Sequence, residues 1–194
     1  MTGKNIGPDL YTNYDFNQIM PPCEYYYRNC DSVQYADNYR LQTKMYGVAH
    51  IKGGPLAPSI KGSVYFIPAL RGTWVYVNVS GLPEYKPAEG SSPPVGPFGF
   101  HIHDKGNCEV SNPSNPFEAA GSHYNPTSQP HGNHAGDFPV LFSNHGKSIM
   151  YFFTDKFKVS EIMGKSVMIH QNPDDYRTQP AGASGKRLAC GVII

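Results

Sequence analysis

Glycine (20) and proline (18) fill about one position in five of this 194-residue chain. Proline inside a helix removes a hydrogen bond and clashes with the preceding turn, and glycine there costs ~0.5–1 kcal/mol relative to alanine. A chain so punctuated is expected to fold as short strands joined by many turns rather than as long helices. The other bulk properties close off whole classes. Lys and Arg number 16 against 15 Asp and Glu, a formal charge of +1, so there is no basic footprint for nucleic acid or a membrane surface. No apolar run approaches ~18 residues, which excludes a transmembrane helix. The opening MTGKNIGPDLYTNYDFNQIM has no apolar core followed by small residues, so a secretory leader is not expected.

Residues 1–43 stand apart in composition. Tyr11, Tyr14, Tyr25, Tyr26, Tyr27, Tyr35 and Tyr39 lie here, with Tyr46 just beyond, together with Pro21-Pro22 and no apolar periodicity. The expectation is an extended or poorly ordered arm, read first as a solvated tail. Packing on the domain, an oligomer contact and oxidative cross-linking are the other uses of so many phenols.

From Lys44 the pattern changes to a folded domain, 44–194. MYGVAHIK, GSVYFIPAL and TWVYVNVSGL are rich in β-branched and aromatic residues, partly alternate, and are separated by Gly/Pro clusters. A fourth strand is expected at Phe98–His103, and others near Phe138–Ser143, Ser148–Thr154, Ser166–His170 and Leu188–Ile194, with Asn144-His145-Gly146 as a hairpin turn. Eight short strands without intervening helices predict an all-β antiparallel sandwich or barrel. Residues 104–136 form a long loop without helical period, and loops of that length are commonly functional.

Seven of the eight histidines lie within 101–170, and six of them, all but His145, have suggestive spacings. His101 and His103 alternate on a strand and so share one face, ~6.6–6.8 Å apart, close enough to converge on one ion. His123 is followed by His131, His134 and Asp137 in HGNHAGD, where Gly132 and Gly136 are expected to let the loop turn sharply. Three imidazoles and a carboxylate suit tetrahedral zinc. His170 ends the apolar run VMIH, where a buried imidazole needs a partner. These seven donors fall one short of two four-coordinate ions. A shared imidazole removes the deficit, and so does a bound water.

The motifs GFHIHDKGNC, AAGSHYNP, HGNHAGD, VMIHQNPDD and SGKRLACGVI, in this order, resemble the copper,zinc superoxide dismutase family, bacterial type, over residues 44–194. That family is itself a known example of the sandwich architecture and of electrostatic steering, so both are carried over with it rather than read from residues. The resemblance implies an eight-stranded antiparallel Greek-key β-barrel or sandwich with long metal-binding and channel loops. It implies copper held by His101, His103, His123 and His170, and zinc held by His123, His131, His134 and Asp137, with His123 as the bridge. It further implies that Asp174 links ligands of both metals, that Arg187 attracts the substrate at the channel mouth, and that Cys108 pairs with Cys190. The cofactors would be copper and zinc and the substrate the superoxide anion, with no nucleic acid or membrane partner and a homodimer left open.

This chain departs from the pattern in two places. Only two residues separate His131 from His134, and residues 171–186 carry Asp174, Asp175, Arg177 and Lys186 in an unusual arrangement. Cys23 and Cys30 are open between a small bridge of their own and free thiols. A cytoplasmic location is the default without a leader, yet a disulfide favours an oxidising compartment, and a surface or coat-like location reconciles the two. The alternatives in function are a catalytically silent homologue that buffers copper or zinc, and a structural surface or coat protein whose Tyr-rich arm is the working part. A zinc hydrolase is disfavoured because no motif places a Ser or Glu base. His50 and His145 are read as bystanders.

Overall fold

The computed structural model describes residues 46–194, so the expectations for the arm, Cys23 and Cys30 lie outside the described residues. Seven strands, β1 (Gly47–Gly53), β2 (Lys61–Ala69), β3 (Gly72–Ser80), β4 (Phe100–His103), β5 (Lys147–Thr154), β6 (Ser166–His170) and β7 (Arg187–Val192), form one curled sheet. Its order is β4-β6-β7-β1-β2-β3-β5, with every pairing antiparallel. Among the described residues helix is confined to a single turn, α1 (Val159–Ile162), and a 3-10 turn at Glu118–Ala120. Among the described residues no helix is long and apolar enough to cross a membrane.

Period-two alternation explains why these segments are strands. In β2 and β3, Val64, Phe66, Val75, Val77 and Val79 point into the core, and Val64 pairs with Val77 and Phe66 with Val75. Each such side chain contributes ~1.5–3 kcal/mol by leaving water. The hairpin from β5 back to the preceding segment turns at His145 (φ 50°) and Gly146 (φ 77°), and Lys147 N–H bonds Asn144 C=O at 3.1 Å. Two successive left-handed residues make a turn whose twist matches the flanking strands.

The eighth expected strand does not form a continuous ladder. Residues 137–144 run beside β4 through isolated bridges, His101 with Asp137 and Phe98 with Leu141, then join β5 through Asn144 and Lys147. The physical reason is Pro139, which has no N–H to give a ladder. The segment therefore spans the gap between the sheet's two edges while contributing Phe138 and Leu141 to the core.

Strands β4 and β6 are buried at every position, and this positions the site. Phe100, Ile102, Val167 and Ile169 face the main core. The opposite faces carry His101, His103 and His170, which lie under the loops 104–136 and 171–186 and are 0%, 1% and 3% exposed.

Candidate metal centre

Strand β4 presents His101 and His103 on its loop-covered face, as the alternation required. His123 is drawn to them by an isolated bridge between His103 and His123, and the His123 ring stacks on that of His101 with centroids 3.9 Å apart. His170 arrives from β6, with its Nε2 3.2 Å from Nε2 of His103. On the other side of His123 lie His131 and His134, with ring centroids at 5.2 and 5.6 Å. Asp137 closes this side, accepting from Nδ1 of His123 at 2.9 Å.

Two four-residue groups result, His101/His103/His123/His170 and His123/His131/His134/Asp137, and in each the ligand atoms lie within 4.8 Å of one another. His123 belongs to both. All seven donors singled out in the sequence are thus brought together.

The hydrogen bonds around the cluster decide which nitrogens are bare. Asp174 accepts from Nε2 of His101 at 2.7 Å and from Nε2 of His131 at 2.8 Å. His103 donates Nδ1–H to Gly121 C=O at 2.9 Å. The buried atoms left without a hydrogen bond include Nδ1 of His101, Nε2 of His123, Nδ1 of His131 and Nδ1 of His134. The last two sit 3.3 Å from the Asp137 carboxylate without forming a hydrogen bond. Buried nitrogens in such numbers are normally paired, and here they converge. The donor set therefore fits two ions, an all-imidazole site suited to copper and a three-nitrogen, one-carboxylate site suited to zinc.

Burial is the main influence on four of the imidazoles. It lowers His101 to about 4 and holds His103 and His170 well below the ordinary histidine range, and it lowers His134 as well. Burial alone would raise the Asp137 carboxyl, but the His123 hydrogen bond and the surrounding imidazoles bring it down to about 2. Asp174 is likewise held low, against its burial, by the bonds from His101 and His131. His101, His103, His134 and His170 are neutral at neutral pH and Asp137 and Asp174 are charged, the forms that bind metal.

A pH dependence follows for the metal-free protein. Between the unfolded histidine value near ~6.5 and about 4, the unfolded chain binds more protons than the folded one. Stability is fully present above that window and is lost as pH falls through it. The thermal midpoint of metal-free protein should fall by several degrees between pH 7 and 5. A midpoint unchanged over that range would contradict burial of neutral imidazoles.

Arg187 starts β7, cross-strand from His170 beside a bulge in the β6–β7 pairing. Its guanidinium is half-buried, with Nη1 donating to Phe117 C=O and Nη2 to Gly121 C=O at 2.6 Å. Burial lowers its pKa, and the nearby Glu118 carboxylate opposes that shift. The same Gly121 carbonyl thus serves both Arg187 and His103. The loop that supplies these carbonyls is held by the Cys108–Cys190 disulfide, which closes a separation of 82 residues with Cα atoms 5.6 Å apart. Phe117, Ala120, Met168 and Cys190 pack beneath it as a small core of their own. In the chain-entropy view a loop of this length gains ~4–5 kcal/mol from closure.

The family described as copper/zinc superoxide dismutase matches residues 60–193. The chain belongs to the copper/zinc superoxide dismutase family. It is 35% identical over 151 residues, 69% of this chain and 77% of the relative, to a protein of Deinococcus radiodurans named superoxide dismutase [Cu-Zn]. A Legionella pneumophila protein of the same name is 34% identical over 148 residues, covering 72% of this chain and 81% of that protein. Among solved structures, a Cu/Zn superoxide dismutase from Brucella abortus aligns at TM-score 0.62 and 30% identity, over 77% of this chain and all of that one.

Within this superoxide dismutase-family chain several contributors were not visible beforehand. Gln179 Oε1 accepts from the His131 N–H at 2.8 Å, and Lys156 Nζ donates to the His134 carbonyl at 3.1 Å. Gly132 does turn with φ +93°, whereas Gly136 is needed for a different reason, since a Cβ there would sit 2.5 Å from the Ile102 carbonyl. The His50 ring hydrogen-bonds Ser63 Oγ at 3.2 Å, and His145 lies in the turn before β5 with φ 50°.

Proposed function

We propose that this chain is an active superoxide dismutase, converting two superoxide anions and two protons into oxygen and hydrogen peroxide. The observation that carries this is the sharing of His123 between two complete donor groups, with Arg187 tied to the same carbonyl as His103. Copper, held by His101, His103, His123 and His170, supplies the one-electron cycling that dismutation requires, while zinc, held by His123, His131, His134 and Asp137, is redox-inert and structural.

The chain's own residues do the rest. Asp174, bonded to His101 and His131, fixes the tautomers of one ligand from each group. His123 holds a proton at Nε2 during the cycle and gives it to the peroxide product. Arg187 attracts the anion and orients it with a charge-assisted hydrogen bond. Superoxide is small and singly charged, so field and access select it rather than a shaped pocket.

The domain boundary near Lys44 and a homodimer belong to the same proposal. The test is metal content per chain for protein expressed with copper and zinc, paired with a superoxide-consumption assay. One copper, one zinc and high activity are expected, in the full chain and in a version beginning at Lys44. Full metal content without superoxide consumption would leave the metal-buffering homologue as the reading. Sedimentation velocity reads the dimer.

A further inference from the structure

Tyr176 joins parts of the molecule that no ligand motif connects. Its phenol donates to Phe138 C=O at 3.1 Å and accepts from Val140 N–H at 3.0 Å. Both partners lie within three positions after Asp137, the carboxylate of the zinc group. Its backbone N–H donates to Asp174 Oδ1 at 2.7 Å, the oxygen that also takes the bond from His131. Its carbonyl lies so close to Gly132 that a Cβ there would meet it at 2.3 Å. Gly132 N–H in turn bonds Asp137 Oδ2 at 2.9 Å.

These contacts close a ring. It runs from Asp137 through Phe138–Val140 to the phenol, along Tyr176 to Asp174, through His131 to Gly132, and back to Asp137. Tyr176 adopts φ 56°, a left-handed conformation uncommon for a side chain without a short polar group. The residue is 41% exposed, so core filling does not account for the strained backbone. The hydrogen-bonding geometry does.

We propose that Tyr176 is a positioning residue for the zinc half of the centre, clasping the two ends of the 131–137 loop against the segment that carries Asp174. The proposal rests on the reading that this group binds zinc. By holding Asp137 and His131 in fixed relation, the clasp slows zinc release and leaves copper retained, because three of its four ligands, His101, His103 and His170, stand on β4 and β6.

The experiment follows zinc release from the metal-loaded full chain to 4-(2-pyridylazo)resorcinol, with copper retention measured alongside. Two variants are compared with wild type. Tyr176→Phe keeps the ring and deletes both phenolic bonds. Tyr176→Gly relieves the left-handed backbone but deletes the phenol. Losing two hydrogen bonds predicts release about tenfold faster in both, with copper retention unchanged. Cobalt(II) placed in the zinc group should show an altered visible spectrum in both variants.

Wild-type release from Tyr176→Phe would overturn the proposal, even if the thermal midpoint of its metal-free form fell. Slow release from a folded Tyr176→Gly would also overturn it, and Tyr176→Phe alone decides should the glycine variant not fold. A wild-type chain that takes up no zinc would overturn the zinc reading together with the clasp. Normal zinc uptake with unchanged release would overturn the clasp alone.

Discussion

Replacing His123 by alanine is expected to weaken both metal groups at once and to lower superoxide consumption by more than ~100-fold, since even indirect partners of metal ligands cost ~10–100-fold when removed. The geometry makes the effect two-sided. Nδ1 of His123 faces Asp137 at 2.9 Å, while its buried Nε2 has no hydrogen-bond partner. One ring thus closes the zinc group and the copper group together. His134 has no such double membership. His134→Ala should chiefly empty the zinc group, leaving copper bound by its four imidazoles. Metal content per chain, measured on both variants, separates the cases. Loss of only one metal from the His123 variant would rule out a bridge.

Different parts of this molecule were legible in the sequence for different reasons. The strands from Gly47 to Ser80 could be read because each packs one face against the core, which writes alternation into the residues. The pairing of His101 with His103 followed from the same period. HGNHAGD was legible because its ligands are near neighbours. Residues 138–143 misled because Phe138 and Leu141 are apolar as a strand requires, yet Pro139 breaks the ladder. The Cys108–Cys190 pairing came from resemblance alone, since spacing does not choose among pairings. Arg187 was named by the same resemblance, but what it holds could not be read. Its partners are the carbonyls of Phe117 and Gly121, 70 and 66 positions away, and a backbone acceptor leaves no mark on residue identity. Tyr176 escaped for a similar reason. Its phenol meets backbone groups 36 and 38 positions away.

Reversing the charge of Arg187 should lower the rate of superoxide consumption on the order of 100-fold while copper and zinc contents stay near wild type. Steering by a single-sign field raises encounter rates by ~10–1000-fold, and a glutamate in this place repels the anion. The metals should stay because guanidinium is no ligand and because His103 keeps its own bond to Gly121 C=O. The carboxylate would face the carbonyl oxygens of Phe117 and Gly121, which now accept from Arg187, so it should turn outward and leave the loop held by the Cys108–Cys190 disulfide. Arg187→Lys should be intermediate, keeping the charge but losing the planar fork that reaches two carbonyls at once. Added salt should slow the wild type by screening, with a weaker or reversed dependence in the glutamate variant. If Arg187→Glu consumed superoxide at the wild-type rate with the same salt response, the anion would have to be guided from elsewhere. Lys186, next to Arg187, and Arg177, in the loop that carries Asp174, would then be the cations to exchange.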